Sequence, residues 1–398
     1  MNKVNRSTHI HFNTSLACLN RLYDEFRKYP NDYHVIGSLL ECDFGVCSHS
    51  KAHEGHSKLT WEEFMTEMPP EFADRIIHLN GAHYMPDAIG KLKPWPVSSG
   101  PQWSESINYG TMISSVYTGW ILKNTPNFKF EVTSKQHMYT ALCGRTKKHR
   151  IHALNALVNL GLQHNGIMTF GAVNEYIDNI NTNRQLNEST TQKRTSVDGL
   201  QVNFWPYIKW DNLAVKETAT QRMSFITPPP WYSNVLFDIV LESNPHCVFI
   251  TEKTVKPLLY GLPFVVCGGK YHNRCLKELG FELYEEYFDI QQESKISYVE
   301  TNNEGIPEQK FNFDSYEKML KPLTDIPTRN SKSYSSIYRQ CLPKILHNQN
   351  QVIKLAFNDD LMPDIVKENP EQFKRNLDML HESRKIIRSH EYFRRFCP

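Results

Sequence analysis

Short apolar, β-branched runs bounded by turn residues alternate with helix-like stretches along this chain, the rhythm of βα units laid on a parallel sheet. The pattern predicts strands over residues 34–40, 75–80, 128–133, 138–144, 166–172, 247–251 and 264–268. Residues 181–200 and 291–309 lack apolar periodicity and read as long surface insertions. From residue 359 onward Phe373, Leu377, Leu380, Ile386 and Ile387 recur among Lys, Arg and Glu, which predicts amphipathic helices.

Two halves of equal rhythm predict an α/β protein with two Rossmann-like domains facing each other across a cleft. The first covers residues 1–135 and the second 136–345, and a helical segment, 346–398, packs back on them. One large sheet with insertions is the alternative. In either arrangement a ligand belongs at the carboxyl ends of the strands.

Composition narrows the class. The 398 residues are 40% hydrophobic, 12% aromatic and 22% charged, which excludes disorder, collagen and coiled coil as overall descriptions. Lys+Arg 45 against Asp+Glu 43 leaves a net charge of +2, too balanced for a polybasic mode of binding. Nine cysteines without the dense spacing of a disulfide scaffold point to a reducing cytosol. No stretch approaches the ~18 uninterrupted apolar residues of a membrane span, and the first thirty residues hold no signal-peptide core. These features predict a cytoplasmic protein with no membrane insertion.

Residues 138–170 read as strand, basic turn, helix, glycine stop, strand. Ile151, Leu154, Leu157, Val158 and Leu162 follow helical spacing, and Gly161 fits the helix end. Arg145, Lys147, Lys148, His149 and Arg150 therefore cluster at the mouth of a βα unit. Amides at a helix start favour an anion, and added guanidinium and ammonium groups suit a diphosphate. An ordinary solvated basic turn is the competing reading.

Residues 232–281 carry the longest informative stretch. Thr251 is placed as an N-cap, Glu252 falls in the first turn, and Lys253 and Lys256 share one side. Pro257 should kink or restart this helix. Glu252 can take both hydroxyls of a ribose while the two lysines hold a diphosphate. Glu242, read as the end of an apolar helix, is a second acidic candidate for the same cleft. A salt-bridged helix start is the alternative.

At these residues the sequence resembles GT-B glycosyltransferases, most specifically the inverting fucosyltransferase-like group. The matching features are Arg150, then Glu242-Ser243-Asn244, then Phe249-Ile250-Thr251-Glu252-Lys253, then Gly261-Leu262-Pro263 and Gly268. It is also similar to phage and large-virus proteins, through Thr251 to Pro257, Pro263-Phe264 and Gly280-Phe281. The resemblance covers residues 138–290. It implies transfer of a sugar from a UDP- or GDP-linked donor, with Glu252 on the ribose and Arg150, Lys253 and Lys256 on the diphosphate. Arg145, Glu242 and Thr251 complete the expected nucleotide-sugar set.

An inverting transfer needs a general base for the acceptor hydroxyl and positive charge for the leaving diphosphate; cations suffice for the second task, so no metal or other cofactor is expected. For the base the sequence offers Asp43, then Glu54 and Asp74. Cys42, Cys47, His49, His53 and His56 could instead form a zinc loop, although the spacing is not that of a finger. The phage likeness implies double-stranded DNA carrying hydroxymethylcytosine as acceptor. Arg384, Lys385, Arg388, Tyr392, Phe393, Arg394 and Arg395, with Trp205, Tyr207, Lys209 and Trp210, could supply its groove. A glycan or lipopolysaccharide transferase is the alternative enzyme. A noncatalytic nucleic-acid-binding protein with a zinc loop is the alternative from another class.

Overall fold

In a computed structural model, the structure describes residues 8–12, 27–30, 32–38, 76–80, 107–108, 110–143, 147–170, 195–197, 200–202, 228–243, 250–301, 307–361 and 374–398, together with isolated positions between them. Two four-stranded parallel sheets organise these residues. The first has the order β1 (Thr8–Phe12), β2 (Tyr33–Ser38), β3 (Ile76–Asn80) and β4 (Ile107–Asn108). The chain is thus an α/β protein. Among the described residues no helix is long and apolar enough to cross a membrane.

After helix α1 (Gly110–Asn124) comes the second sheet, with strands β5 (His137–Cys143) and β6 (Gly166–Phe170) joined by helix α2 (Lys148–Asn159). A small antiparallel pair follows, β7 (Thr195–Val197) and β8 (Leu200–Val202). Strand β9 (Val235–Leu241) then leads through helix α3 (Glu252–Tyr260) into β10 (Phe264–Cys267). In space the order is β10-β9-β5-β6. The chain therefore steps one way from β5 and the opposite way from β9, which makes the β5/β9 boundary the switch point of the sheet. Right-handed crossovers running in opposite directions put α2 and α3 on opposite faces.

Helix α4 (His272–Glu278), the hairpin β11 (Ser297–Thr301) and β12 (Pro307–Phe311), helix α5 (Asp314–Leu320), the long helix α6 (Ser331–Phe357) and helix α7 (Lys374–Ser389) complete the described chain. Helix α5 packs on α2, whereas α1 and α6 pack on α3 and α7 packs on α1. Because helices cover both faces, β9 is buried at all seven positions and reads as an apolar run broken only by Asp238. Helix α2 ends where Gly161 takes φ 72, with Gly161 N–H to Val158 O at 2.9 Å and Leu162 N–H to Leu157 O at 2.9 Å, a Schellman stop that a side chain with Cβ disfavours.

Four expectations need correction. Residues 235–241 are a strand rather than the end of an apolar helix; a short run buried on both faces carries no period that separates the two. Residues 128–133 pair with no ladder; Phe128 and Phe130 are half-buried, whereas Glu131 and Val132 are both exposed. Phe128 instead meets Tyr260 edge-on at 4.7 Å and stacks on Phe393 at 5.8 Å. In the run 247–251 only Val248 forms a bridge among the described residues. Pro257 lies inside one unbroken helix, since its place near the N-terminus removes a single internal hydrogen bond.

Helix α1 packs on α3, α6 and α7, and α6 is continuous from Ser331 to Phe357.

Candidate functional site

The carboxyl ends of β5 and β9 bring the starts of two helices to one place. From β9 the chain continues into Glu242 and Ser243; from β5 it enters α2 through Lys147, whose backbone is extended at φ −131 and ψ 145. Lys147 Nζ donates to Ser243 O at 2.7 Å, and Arg150 Nε donates to Glu242 O at 3.0 Å. His149 Nε2 lies 2.8 Å from that same Glu242 oxygen. Arg150 and His149 are buried, at 3% and 2% exposure, so both are fixed parts of the floor.

Glu242 is fully buried, and its carboxylate is spent on neutral donors. Oε1 accepts from Thr251 N–H at 3.0 Å and Thr254 Oγ1 at 2.7 Å, while Oε2 accepts from Ser243 N–H at 2.9 Å and Thr251 Oγ1 at 2.8 Å. It braces the end of β9 against the start of α3. Thr251 caps that helix as the sequence predicts, accepting from Lys253 N–H at 3.2 Å with an extended backbone.

Glu252 and Lys253 face the crevice beside this brace. Lys253 Nζ lies 2.5 Å from Glu252 Oε1 and 3.1 Å from Ser243 Oγ. Burial works to raise the Glu252 carboxyl, but the Lys253 ammonium, its hydrogen bond and the Lys256 charge outweigh it and hold the group below the usual carboxylate range. Lys256 is also buried; burial draws its ammonium down to about 8 against the pull of Glu252 and Asp238. Burial also pushes the Asp238 carboxyl up to about 7, and Tyr232 donates its hydroxyl to it.

Ser243 is thus the point on which Lys147, Lys253 and Arg150 converge, the last through Nη2 at 3.5 Å from Oγ. Of the two carboxylates nearby, Glu242 is saturated by hydroxyl and amide donors, and Glu252 offsets one cation. The arrangement brings Lys147, Arg150 and Lys253 to two helix starts, a setting for a multiply charged anion.

His272, the first residue of α4, adds a feature with no sequence signal. It is fully buried, neither ring nitrogen has a hydrogen-bond partner, and burial lowers its pKa to about 4 although the Glu242 charge opposes this. A Cβ on Gly268 would come within 2.7 Å of His272 Nδ1 and 3.3 Å of Glu242 Cβ, so only glycine allows this close packing. The ring reaches this place through strand order, which a local pattern does not encode.

Six of the expected binding residues, Arg150, Glu242, Thr251, Glu252, Lys253 and Lys256, come together around the β9 end and the start of α3. Arg145 lies outside the described residues, as do the expected bases Asp43 and Glu54, their rival Asp74 and the Cys42 to His56 loop. So do Trp205, Tyr207, Lys209 and Trp210. In the tail, Tyr392 and Phe393 pack with Phe128, Arg395 lies over Tyr392 at 4.0 Å, and Arg384 binds Ala356 O at 2.8 Å and Asp359 at 2.7 Å.

No protein-family model, no curated protein and no solved structure matches the chain.

Proposed function

We propose that this protein is a glycosyltransferase that binds a nucleotide-diphosphate sugar at the crevice between the carboxyl ends of β5 and β9. The observation that carries the reading is the convergence of Lys147, Arg150 and Lys253 on Ser243 at the switch point of a parallel sheet, where two helix starts face the same space. In this reading the diphosphate exchanges with the contacts now made to Ser243, and Glu252 takes the ribose hydroxyls. The cations then stabilise the charge that develops on the diphosphate as the bond to the sugar breaks. The acceptor hydroxyl gives up its proton to a general base, for which the sequence offers Asp43 and Glu54. A hydroxymethylcytosine in DNA is the acceptor this reading favours.

Thermal-shift and calorimetric titration with UDP, GDP, CMP and their sugars test the donor. A ligand at ~100 times its dissociation constant adds about 2.7 kcal/mol to stability, a readily measured shift. One nucleotide class should bind, and Lys253→Ala should weaken it at least about tenfold with the fold intact. Absence of binding across the panel overturns the proposal. With a donor in hand, radiolabelled sugar transfer to hydroxymethylated DNA, and to glycans in parallel, tests the acceptor.

A further inference from the structure

Asp238 is the one charged residue of β9, buried in the middle of a strand covered on both faces. Its partners in register are Thr140 of β5 and Phe264 of β10, so neither adjoining strand sets a charge opposite it. A carboxylate in such a place is costly unless it is partnered. Tyr232, itself buried, donates its hydroxyl to Asp238, and the buried Lys256 ammonium of α3 supplies the counter-charge.

Lys256 lies one helical turn after Glu252, a spacing that puts the two on one side of α3. Its ammonium is thus within reach of Glu252 as well as Asp238, while Glu252 meets Lys253 at 2.5 Å and Lys253 reaches Ser243 Oγ at 3.1 Å. Lys253, Glu252, Lys256 and Asp238 form a ladder of alternating charge that runs from the crevice into the sheet. Glu242 also reaches Lys256, and Tyr260 is a further titratable neighbour of Tyr232. The groups that α6 and the end of α1 bring to this helix are Gln349 on Leu259 O at 2.8 Å, Tyr338 on Gly261 O at 2.7 Å and Thr125 on Tyr260, all at its far end.

Charges enclosed in this way act on one another with little screening. An anion that engages Lys253 draws on the cation that Glu252 now holds, and Glu252 then relies on Lys256. The added negative charge and the redirected carboxylate both favour the protonated form of Lys256 and Asp238. Burial already brings this pair near neutrality, with Lys256 drawn down to about 8 and Asp238 pushed up to about 7, and the protons belong to the pair rather than to either residue.

We propose that the buried Lys256 and Asp238 pair takes up a proton from solvent when an anionic ligand engages Lys253, so that binding in the crevice is coupled to protonation within the sheet although neither residue touches the ligand. The inference rests on the diphosphate site proposed above. A ligand that raises the proton affinity of the pair binds more tightly where the pair is protonated, so affinity falls as pH rises through about 8.

The test is calorimetric titration of the full chain near pH 8 with the UDP- or GDP-linked sugar selected by the donor panel, in HEPES and in Tris, whose different heats of ionisation report the protons taken up. Ordinary histidines are neutral at this pH, and a diphosphate sugar carries no phosphate proton there. Wild type should take up roughly 0.3 of a proton or more, and its affinity should fall about twofold or more from pH 7 to 8.5. Lys256→Met should abolish the uptake, and Asp238→Asn should move it to lower pH because Lys256 then loses an anion, with circular-dichroism melts confirming that each is folded. If wild type binds the sugar nucleotide and loses it in Lys253→Ala, yet its heats agree in the two buffers, the coupling is overturned and the diphosphate site stands. Uptake that persists in Lys256→Met, or keeps its pH in Asp238→Asn, overturns it equally. Loss of all binding in both folded variants would place the pair among the ligand's own contacts and overturn it too. If wild type binds no sugar nucleotide, both proposals fall together.

Discussion

Arg150 Nε donates to the carbonyl oxygen of Glu242 at 3.0 Å, which fastens the helix after β5 to the end of β9, a strand 92 residues further along the chain. The bond spans the switch point of the sheet, so Arg150 both holds the crevice together and places charge in it. Arg150→Ala should lower unfolding free energy by about 2 kcal/mol, the range for a buried hydrogen bond from a charged group. It should also weaken nucleotide binding more than tenfold. Urea denaturation and calorimetry measure the two effects separately; a variant with unchanged affinity removes Arg150 from the binding set.

Glu242 poses the opposite case, a carboxylate at the crevice with no capacity left for a ligand. Glu242→Gln replaces an acceptor oxygen by an NH2 group that must face donors, so it should cost about 2–3 kcal/mol in chemical denaturation. Thr254→Ala removes one donor and should cost about 1 kcal/mol. Were Glu242 a ligand-binding carboxylate instead, the Gln variant would keep its stability and lose binding.

Acid should destabilise the protein through His272. Its folded pKa, about 4, lies below the ordinary value of 6.5, so between these pH values the unfolded chain binds the proton more readily than the folded one. Stability from this residue is complete above about pH 6.5 and is lost as pH falls toward 4, with up to about 3 kcal/mol at stake. Unfolding free energies from pH 4 to 7 should show this slope in wild type and a flatter profile in His272→Phe.

A Cβ at Gly166 would sit 2.6 Å from three carbons of the Tyr139 ring, which is itself fully buried. Gly166→Ala should therefore cost about 1–3 kcal/mol by overpacking. Adding Tyr139→Leu should recover part of this, because the smaller side chain vacates the contact. A double-mutant cycle in urea reads the coupling; strictly additive losses would place the strain elsewhere.

The βα unit at 138–170 and the start of α3 were legible in the sequence because their signals are local. Helical spacing in Ile151, Leu154 and Leu157, the left-handed stop at Gly161 and the Thr251 cap each depend on neighbours within one or two turns. The failures have a common origin. Val235–Leu241 is a strand that the sequence does not distinguish from a helix, because a strand covered on both faces shows no alternation, and Phe128 and Phe130 alternate to serve an aromatic cluster built with Tyr260, Tyr392 and Phe393.

The candidate site divides along the same line. Residue types and spacing alone determined that a capped helix start would carry Glu252 and Lys253, and that a second basic helix start would hold Arg150. Only the tertiary structure decided that these two starts share one crevice, because that follows from β9 pairing with β5 and not from either segment. It also decided how the charged groups are partnered: Glu242 accepts from Thr251, Thr254 and Ser243, and Lys256 is buried within reach of the charges of Glu252 and Asp238. Local torsional preferences are written into short stretches of chain, whereas burial and charge partnership depend on which distant strands lie side by side.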